Sequence, residues 1–397
     1  MGAFNILAFG PSGSGKTVYL AALHHLLTQD RLAPGLRFAA VRLQDEAWLG
    51  GLYNQVQDPG RDFPDSTRFP GQIREIQFRF SVVRTKRGAS GGSVPQTVEY
   101  TALDLTYFDY PGEWLKELDQ LAEAEREAFE KRLTEASAIL GVIDGDKLLR
   151  CLRSGVFSDA FYEDHIRVVT TRTGSRPVRF VITKWDLLAG SYTLEQVWER
   201  LVEYRPFRDL IADQTGPRWP FGRPVGPVPL IPVSSTGDFA QRNAAGIIEK
   251  VPGRRPKPVD VEVPLVAVVR SICRHAYDHL MREASRRDSE YVASGRRALR
   301  EGRVGGIEIN AFIFKINLSH FIEALRLDMY QFLWSPAKEL GRSALRQYHR
   351  MTAKGHSRVG SDAAALCYLE HSFQKRLDEF EARPEYRDFL RRASDGD

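Results

Sequence analysis

The sequence predicts an α/β fold, a mostly parallel central sheet with helices on both faces, followed by a helical C-terminal extension. Three observations predict it. Gly10-Pro11-Ser12-Gly13-Ser14-Gly15-Lys16-Thr17 fits G-x-x-x-x-G-K-[ST] and stands between an apolar run and an apolar helical stretch. Strand and helix patterns alternate through residues 1–285, as they do in α/β sheets. Residues 286–397 then read as mostly helical.

The elements follow in order. Phe4 to Phe9 is a short apolar run, a buried strand, and Val18 to Leu27 has helical apolar spacing. Leu36 to Leu43 comes next, then a short helical stretch near Glu46 to Gln57. Arg74 to Arg84 alternates apolar and polar residues through Ile76, Phe78, Phe80 and Val82, as a half-buried strand does. Lys86 to Gln96 is rich in Gly and Ser, and Val98 to Phe108 is the next strand, so the two strands form an antiparallel hairpin at the sheet edge. Leu115 to Glu135 is a charged helix, Ala138 to Ile143 a buried strand and Phe157 to Thr171 a helix. Val178 to Ile182 is a buried strand, Thr193 to Tyr204 a helix, and Asp213 to Pro229 a long loop marked by Pro and Gly. Pro229 to Val233 is the last strand; Val251 to Pro264, rich in Pro and Arg, runs over the surface; Leu265 to about Arg286 is an apolar helix that closes the domain. In the extension, Ile307 to Trp334 is the most apolar part and reads as a core helix or helical pair, either capping the first domain or docking a partner.

Composition sets the outer limits. A chain of 397 residues holds one large or two ordinary domains. Cys151, Cys273 and Cys367 are odd in number and far apart, which argues against a disulfide framework and a zinc site and fits a reducing, cytoplasmic setting. The first strand begins near residue 4, which leaves no room for a signal peptide, and there is no transmembrane run of about 18 apolar residues. A net charge of +5 is modest for this length and does not call for nucleic acid as a partner.

The glycine loop carries the chemistry. Glycines let backbone N–H groups turn inward around a phosphate, and the following helix adds the positive end of its dipole. In that role Gly10, Ser12, Gly13, Ser14, Gly15, Lys16, Thr17 and Val18 bind the phosphates of a nucleotide; Lys16 reaches the β- and γ-phosphates and the Thr17 hydroxyl holds Mg²⁺. Asp109-Tyr110-Pro111-Gly112 is D-x-x-G at the end of an apolar strand; Asp109 suits the second Mg²⁺ contact and the Gly112 N–H a γ-phosphate sensor. Thr183-Lys184-Trp185-Asp186 fits [NT]-K-x-D. The Asp186 carboxylate can accept both N1–H and N2–H of guanine, whereas adenine has no such donor pair; the Lys184 stem lies over the base. Ser234 and Ser235, at the end of the last strand, suit a loop that touches guanine O6, although serines there also serve as turn residues. A threonine that closes over Mg²⁺ and γ-phosphate must lie between the first helix and the hairpin; Thr67 is the best candidate, beside Ser66, with Thr28 a poorer one.

With these residues in order, the chain resembles the translation-factor-like (Ras-like) class of P-loop GTPases over about residues 1–285. The segment Phe108-Asp109-Tyr110-Pro111-Gly112-Glu113-Trp114-Leu115 is similar to one in the bacterial YcjX-like GTPases, as is Pro64 to Phe80 with Thr67-Arg68. Related bacterial double-GTPase proteins of conflict or defence systems share the glycine loop and a D-x-P-G-E feature, and the compact spacing and T-K-W-D lean toward them. The resemblance implies a Ras-like G domain, a P-loop NTPase fold, and a Mg²⁺-dependent switch cycling between GTP and GDP, read by a protein partner such as a second GTPase or a second copy. It implies catalytic roles for Lys16, Thr67, Gly112 and Glu113, with Mg²⁺ held by Thr17, Thr67 and Asp109. Ras-like enzymes place Gln where this chain has Glu113; a carboxylate near the γ-phosphate implies slow intrinsic hydrolysis. Arg68 suits either an arginine finger or a surface position. Two other readings stay open: a nucleotide-binding scaffold with negligible turnover that docks a partner protein, and a P-loop kinase, which would need an acceptor site and a lid.

Overall fold

A computed structural model describes residues 4–29, 32–64, 74–86, 96–110, 123–167, 169–170, 176–215, 230–243, 246–271, 355–360, 362–386 and 389. Thr67, Ser66, Arg68, Gly112, Glu113, Cys273 and the 307–334 segment lie outside them.

The α/β architecture is present. A seven-stranded sheet runs in the order β2-β3-β4-β1-β5-β6-β7, with β1 Phe4–Phe9, β2 Leu36–Ala40, β3 Arg74–Lys86, β4 Gln96–Asp109, β5 Ala138–Asp144, β6 Val178–Thr183 and β7 Leu230–Pro232. The β4-β1-β5-β6-β7 block is parallel. Its central strands are mostly apolar and buried: Ile6, Leu7, Ala8, Phe9 and every residue of β5 and β6 are buried, the polar ones being Asp144, Arg179 and Thr183, as helices on both faces require. The β3–β4 pair is the expected antiparallel hairpin. It is not the edge itself, because β2 pairs antiparallel to β3 beyond it, stacking Phe38 on Phe78 with ring centroids 4.8 Å apart.

The helices are α1 Lys16–Leu27, α2 Leu43–Gln57, α3 Glu123–Glu135, α4 Gly145–Ser154, α5 Leu194–Val202, α6 Arg205–Thr215, α7 at 263–271 and α8 Asp362–Glu381. α4 has no counterpart among the elements expected from the sequence, although its ends carry ordinary signals: Asp144 caps the Asp146 amide at 3.0 Å and Gly155 closes it in the left-handed conformation. The helix expected from Phe157 to Thr171 is present but irregular: an α turn at Asp159–Tyr162 widens to a π turn at Glu163–Arg167, and 169–170 are helical again. There the His165 ring Nδ1 lies 2.9 Å from the Phe161 carbonyl, the acceptor a regular turn offers to the His165 amide.

Two further departures matter for the site. Val251 to Pro264 does not stay on the surface: Asp260, Val261, Glu262 and Val263 are buried. The two carboxylates find arginines on α8, where Arg376 Nε is 2.6 Å from Glu262 and Arg383 reaches both oxygens of Asp260 at 2.6 and 2.8 Å. A small second sheet, β8 Ala240–Arg242 with β9 Ile248–Lys250, was not anticipated. α8 packs on β3 and β4, with Phe373 edge-on to Phe80 at 5.4 Å and Asp362 accepting from the Thr101 amide at 3.0 Å. No helix among the described residues is long and apolar enough to cross a membrane.

Candidate functional site

The C-terminal ends of parallel strands gather the motifs. β1 runs straight into the glycine loop, and the loop opens α1 with Gly15 as its N-cap. Gly13 and Gly15 take φ of +75° and +84°, a left-handed conformation that disfavours any side chain. Lys16 is buried, and its ammonium donates to the carbonyls of Gly10 (2.6 Å) and Pro11 (3.1 Å), which holds the charge inside the loop.

Asp109 closes β4, next to β1 in the sheet. The Thr17 hydroxyl donates to Asp109 Oδ2 at 3.2 Å, while Oδ1 is buried without a hydrogen-bond partner. Burial pushes the Asp109 carboxyl above its ordinary pKa, against the pull of Lys16, the Thr17 hydrogen bond and Arg74. A buried carboxylate with one oxygen unsatisfied and a hydroxyl beside it fits a hard divalent cation such as Mg²⁺, which uses one or two protein oxygens and takes the rest from phosphates and water. Among the described residues no cluster of three or more His, Cys, Asp or Glu side chains offers a rival metal site.

The segment after β6 is bolted to the glycine loop. Thr183 Oγ1 donates to the Ser14 carbonyl at 2.6 Å. Lys184 adopts φ +53°, its stem passes beside Gly15, and its ammonium bridges the Gly13 carbonyl (2.8 Å) and Asp144 Oδ1 (2.9 Å). Asp186 accepts a short hydrogen bond from the Ser234 hydroxyl, which in turn accepts from the Gly237 amide at 2.8 Å. Burial raises the Asp186 pKa, opposed by the Ser234 hydrogen bond and by Lys184. This carboxylate accepts from the Ser234 hydroxyl and from its own backbone amide, and with about four lone-pair sites it retains acceptor capacity for a ligand with adjacent N–H donors.

These segments line one cavity of about 240 Å³. Ser12 to Val18, Asp109, Thr183, Lys184, Asp186 and Ser235 all reach it; Gly10 sits behind the loop as an acceptor for Lys16, and Ser234 acts through Asp186. Sequence reasoning missed several of its walls. Phe63, Pro64, Tyr110, Leu187, Thr236, Ala240 and Ile248 also line it, and Asp144 holds Lys184. Asp144-Gly145 could have been found from its place at the end of a buried strand; Ala240 and Ile248 carry no motif. The chain matches no protein-family model and no curated protein.

Proposed function

We propose that this chain binds GTP with Mg²⁺ and hydrolyses it to GDP and phosphate as a molecular switch. The observation that carries the reading is the order of the strands. Asp109 ends β4, the glycine loop follows β1, and Asp186 follows β6; the sequence β4-β1-β5-β6 separates the first from the last by three strand spacings. That is about 14 Å, a span suited to an extended nucleotide with its metal-bound phosphates at one end and its base at the other. The cavity runs along this line and offers a cation in a glycine cradle, a hydroxyl–carboxylate pair and a half-buried carboxylate.

Each group has a task. The loop amides and Lys16 neutralise phosphate charge and orient the terminal phosphoryl group. Thr17 and Asp109 would hold Mg²⁺, which supplies charge neutralisation to the β- and γ-phosphates. Asp186 pairs with the guanine N1–H and N2–H; an adenine leaves the carboxylate facing no donor pair, so selectivity comes from an unpaired charge. Thr67 and Gly112 act as the parts that hold γ-phosphate and release their loops after hydrolysis, and Glu113 as a poor water-orienting group that makes intrinsic turnover slow. A protein partner, a second GTPase or a second copy, reads the two states.

Calorimetric titration of nucleotide-free protein with GDP and with ADP, each with Mg²⁺, tests the binding half. Tight GDP and absent ADP binding is expected; equal affinities refute the guanine reading. Single-turnover phosphate release at saturating protein tests the chemistry, and a protein that binds GTP without releasing phosphate is a scaffold rather than a switch.

A further inference from the structure

Between Ser235 and α7 the chain makes a detour that the sheet does not need. β7 ends at Pro232, and residues 237–250 form a single turn of 3-10 helix, Gly237–Phe239, and the β8–β9 hairpin. Its base is fixed to the Ser234 loop: the Val251 amide donates to the Phe239 carbonyl at 2.7 Å and the Lys257 amide to the Thr236 carbonyl at 3.0 Å. Ala240 from β8 and Ile248 from β9 form part of the cavity wall.

Both strands are tied down at charged ends. On β8, Arg242 forms an ion pair with the buried Asp146, two residues from the Asp144 that holds Lys184. On β9, the Lys250 ammonium donates to the carbonyls of Gln55 (2.6 Å) and Asp58 (2.7 Å), at the C-terminal end of α2. Carbonyls at a helix C-terminus are open acceptors at the negative end of its dipole, so a cation is well placed there. The same ammonium lies 5.0 Å from the centroid of the Phe63 ring, and Phe63 also meets Phe239 edge-on at 6.5 Å. Phe63 and Pro64 are cavity walls too. The hairpin thus spans from α4 on one side to the segment after α2 on the other, with apolar residues facing the cavity.

We infer that the β8–β9 hairpin is a strap over the base end of the cavity, and that Lys250 is a positioning residue that keeps Phe63 against a bound purine and so sets how slowly nucleotide leaves. This rests on the guanine-nucleotide reading and deepens it by naming what controls release. A purine is flat and apolar on its faces while its edge is polar. Asp186 serves the edge, and Phe63, Ala240 and Ile248 supply an apolar lining that Asp186 cannot. Lys250 joins that lining to the end of α2, so loss of the lysine's grip on Gln55 and Asp58 and loss of its contact with Phe63 are one event.

The test is release of a fluorescent GDP derivative, labelled on the ribose, chased with excess unlabelled GDP in stopped flow. Lys250→Met removes two hydrogen bonds from a charged donor and the cation over the Phe63 ring, and is expected to speed release about tenfold, an effect carried in the dissociation rate. Lys250→Arg, which keeps the cation and its donors, is expected to recover most of the slow release; a purely structural lysine gives no such ordering among folded variants. Phe63→Leu decides the matter if Lys250→Met fails to fold, and is expected to accelerate release by a similar factor. Uptake by the wild-type protein with release rates within twofold across the variants overturns the strap alone. Failure of the wild-type protein to take up fluorescent GDP overturns the guanine reading and the strap with it.

Discussion

Replacing Asp186 with alanine is the sharpest probe of the base end. In the structure the carboxylate is half-buried, accepts from the Ser234 hydroxyl and from its own backbone amide, and has its pKa raised chiefly by desolvation. It is therefore a charge kept at a cost to the fold, and removing it leaves the nucleotide-free protein about as stable as before. Its contribution to binding is another matter. Two hydrogen bonds from guanine to an ionised acceptor are worth about 1.5–3 kcal/mol each. Because Ser234 already engages one oxygen, the lower half of the summed range applies, about 3–4 kcal/mol. That corresponds to an increase in Kd of about 100- to 1,000-fold. Calorimetry with Mg²⁺–GDP on wild-type and Asp186→Ala protein measures it directly, with thermal unfolding of both nucleotide-free proteins as the control for folding. A loss below about fivefold, or an equal loss for ADP, refutes the assignment of Asp186 to the base edge. The pH profile should agree: on this reading only the ionised Asp186 pairs with guanine, so GDP affinity should fall on acidification, beginning at a higher pH than an ordinary carboxylate would give.

Three more outcomes are expected. Asp109→Asn should abolish the Mg²⁺ dependence of nucleotide binding yet raise the stability of the nucleotide-free protein at neutral pH by about 0.5–2 kcal/mol, read by urea unfolding. The sign follows from the raised pKa: the native state holds that proton more tightly than the unfolded chain, so the ionised group opposes folding as pH rises between the two values. Asp260→Asn should cost about 2–4 kcal/mol, because it strips the counter-charge from Arg383 and weakens the contact with Arg376 while the partly exposed arginines recover some hydration. Phe373→Ala, at a fully buried position against Phe80, should cost about 3–5 kcal/mol in the same assay; a change under 1 kcal/mol would show that α8 is not integral to the core.

Where one segment carried both a motif and a strong apolar pattern, the sequence was legible. β1, the glycine loop and α1 follow from six apolar-rich residues, two left-handed glycines and a helix start, and Thr183 to Asp186 follows from β6 in the same way. The cavity-facing hairpin was not, since each strand has three residues and half-exposed side chains, too few for a period of two to declare itself. Asp260 and Glu262 stand among prolines and arginines and read as surface, and only the fold brings them to Arg376 and Arg383, whose separation in the chain exceeds a hundred residues. Lys250 and Phe63 are legible only together, because a lysine that grips two carbonyls leaves no pattern of its own.

The docking of α8 on β3 and β4 also has a consequence in time. Thr101 and Asp362 are 261 positions apart, and Pro34 and Tyr368, whose hydroxyl donates to the Pro34 carbonyl, are 334 apart. At 5–20 residues per second, the ribosome needs roughly 10–50 s after making the hairpin before it makes the helix that covers it. Throughout that interval Phe80 lacks Phe373, its aromatic cover, and the strands present an apolar face on a nascent chain. The cavity is lined by residues between Ser12 and Ile248, so its whole lining is made before α8, and the apolar cover of the hairpin arrives after the site's own walls rather than with them.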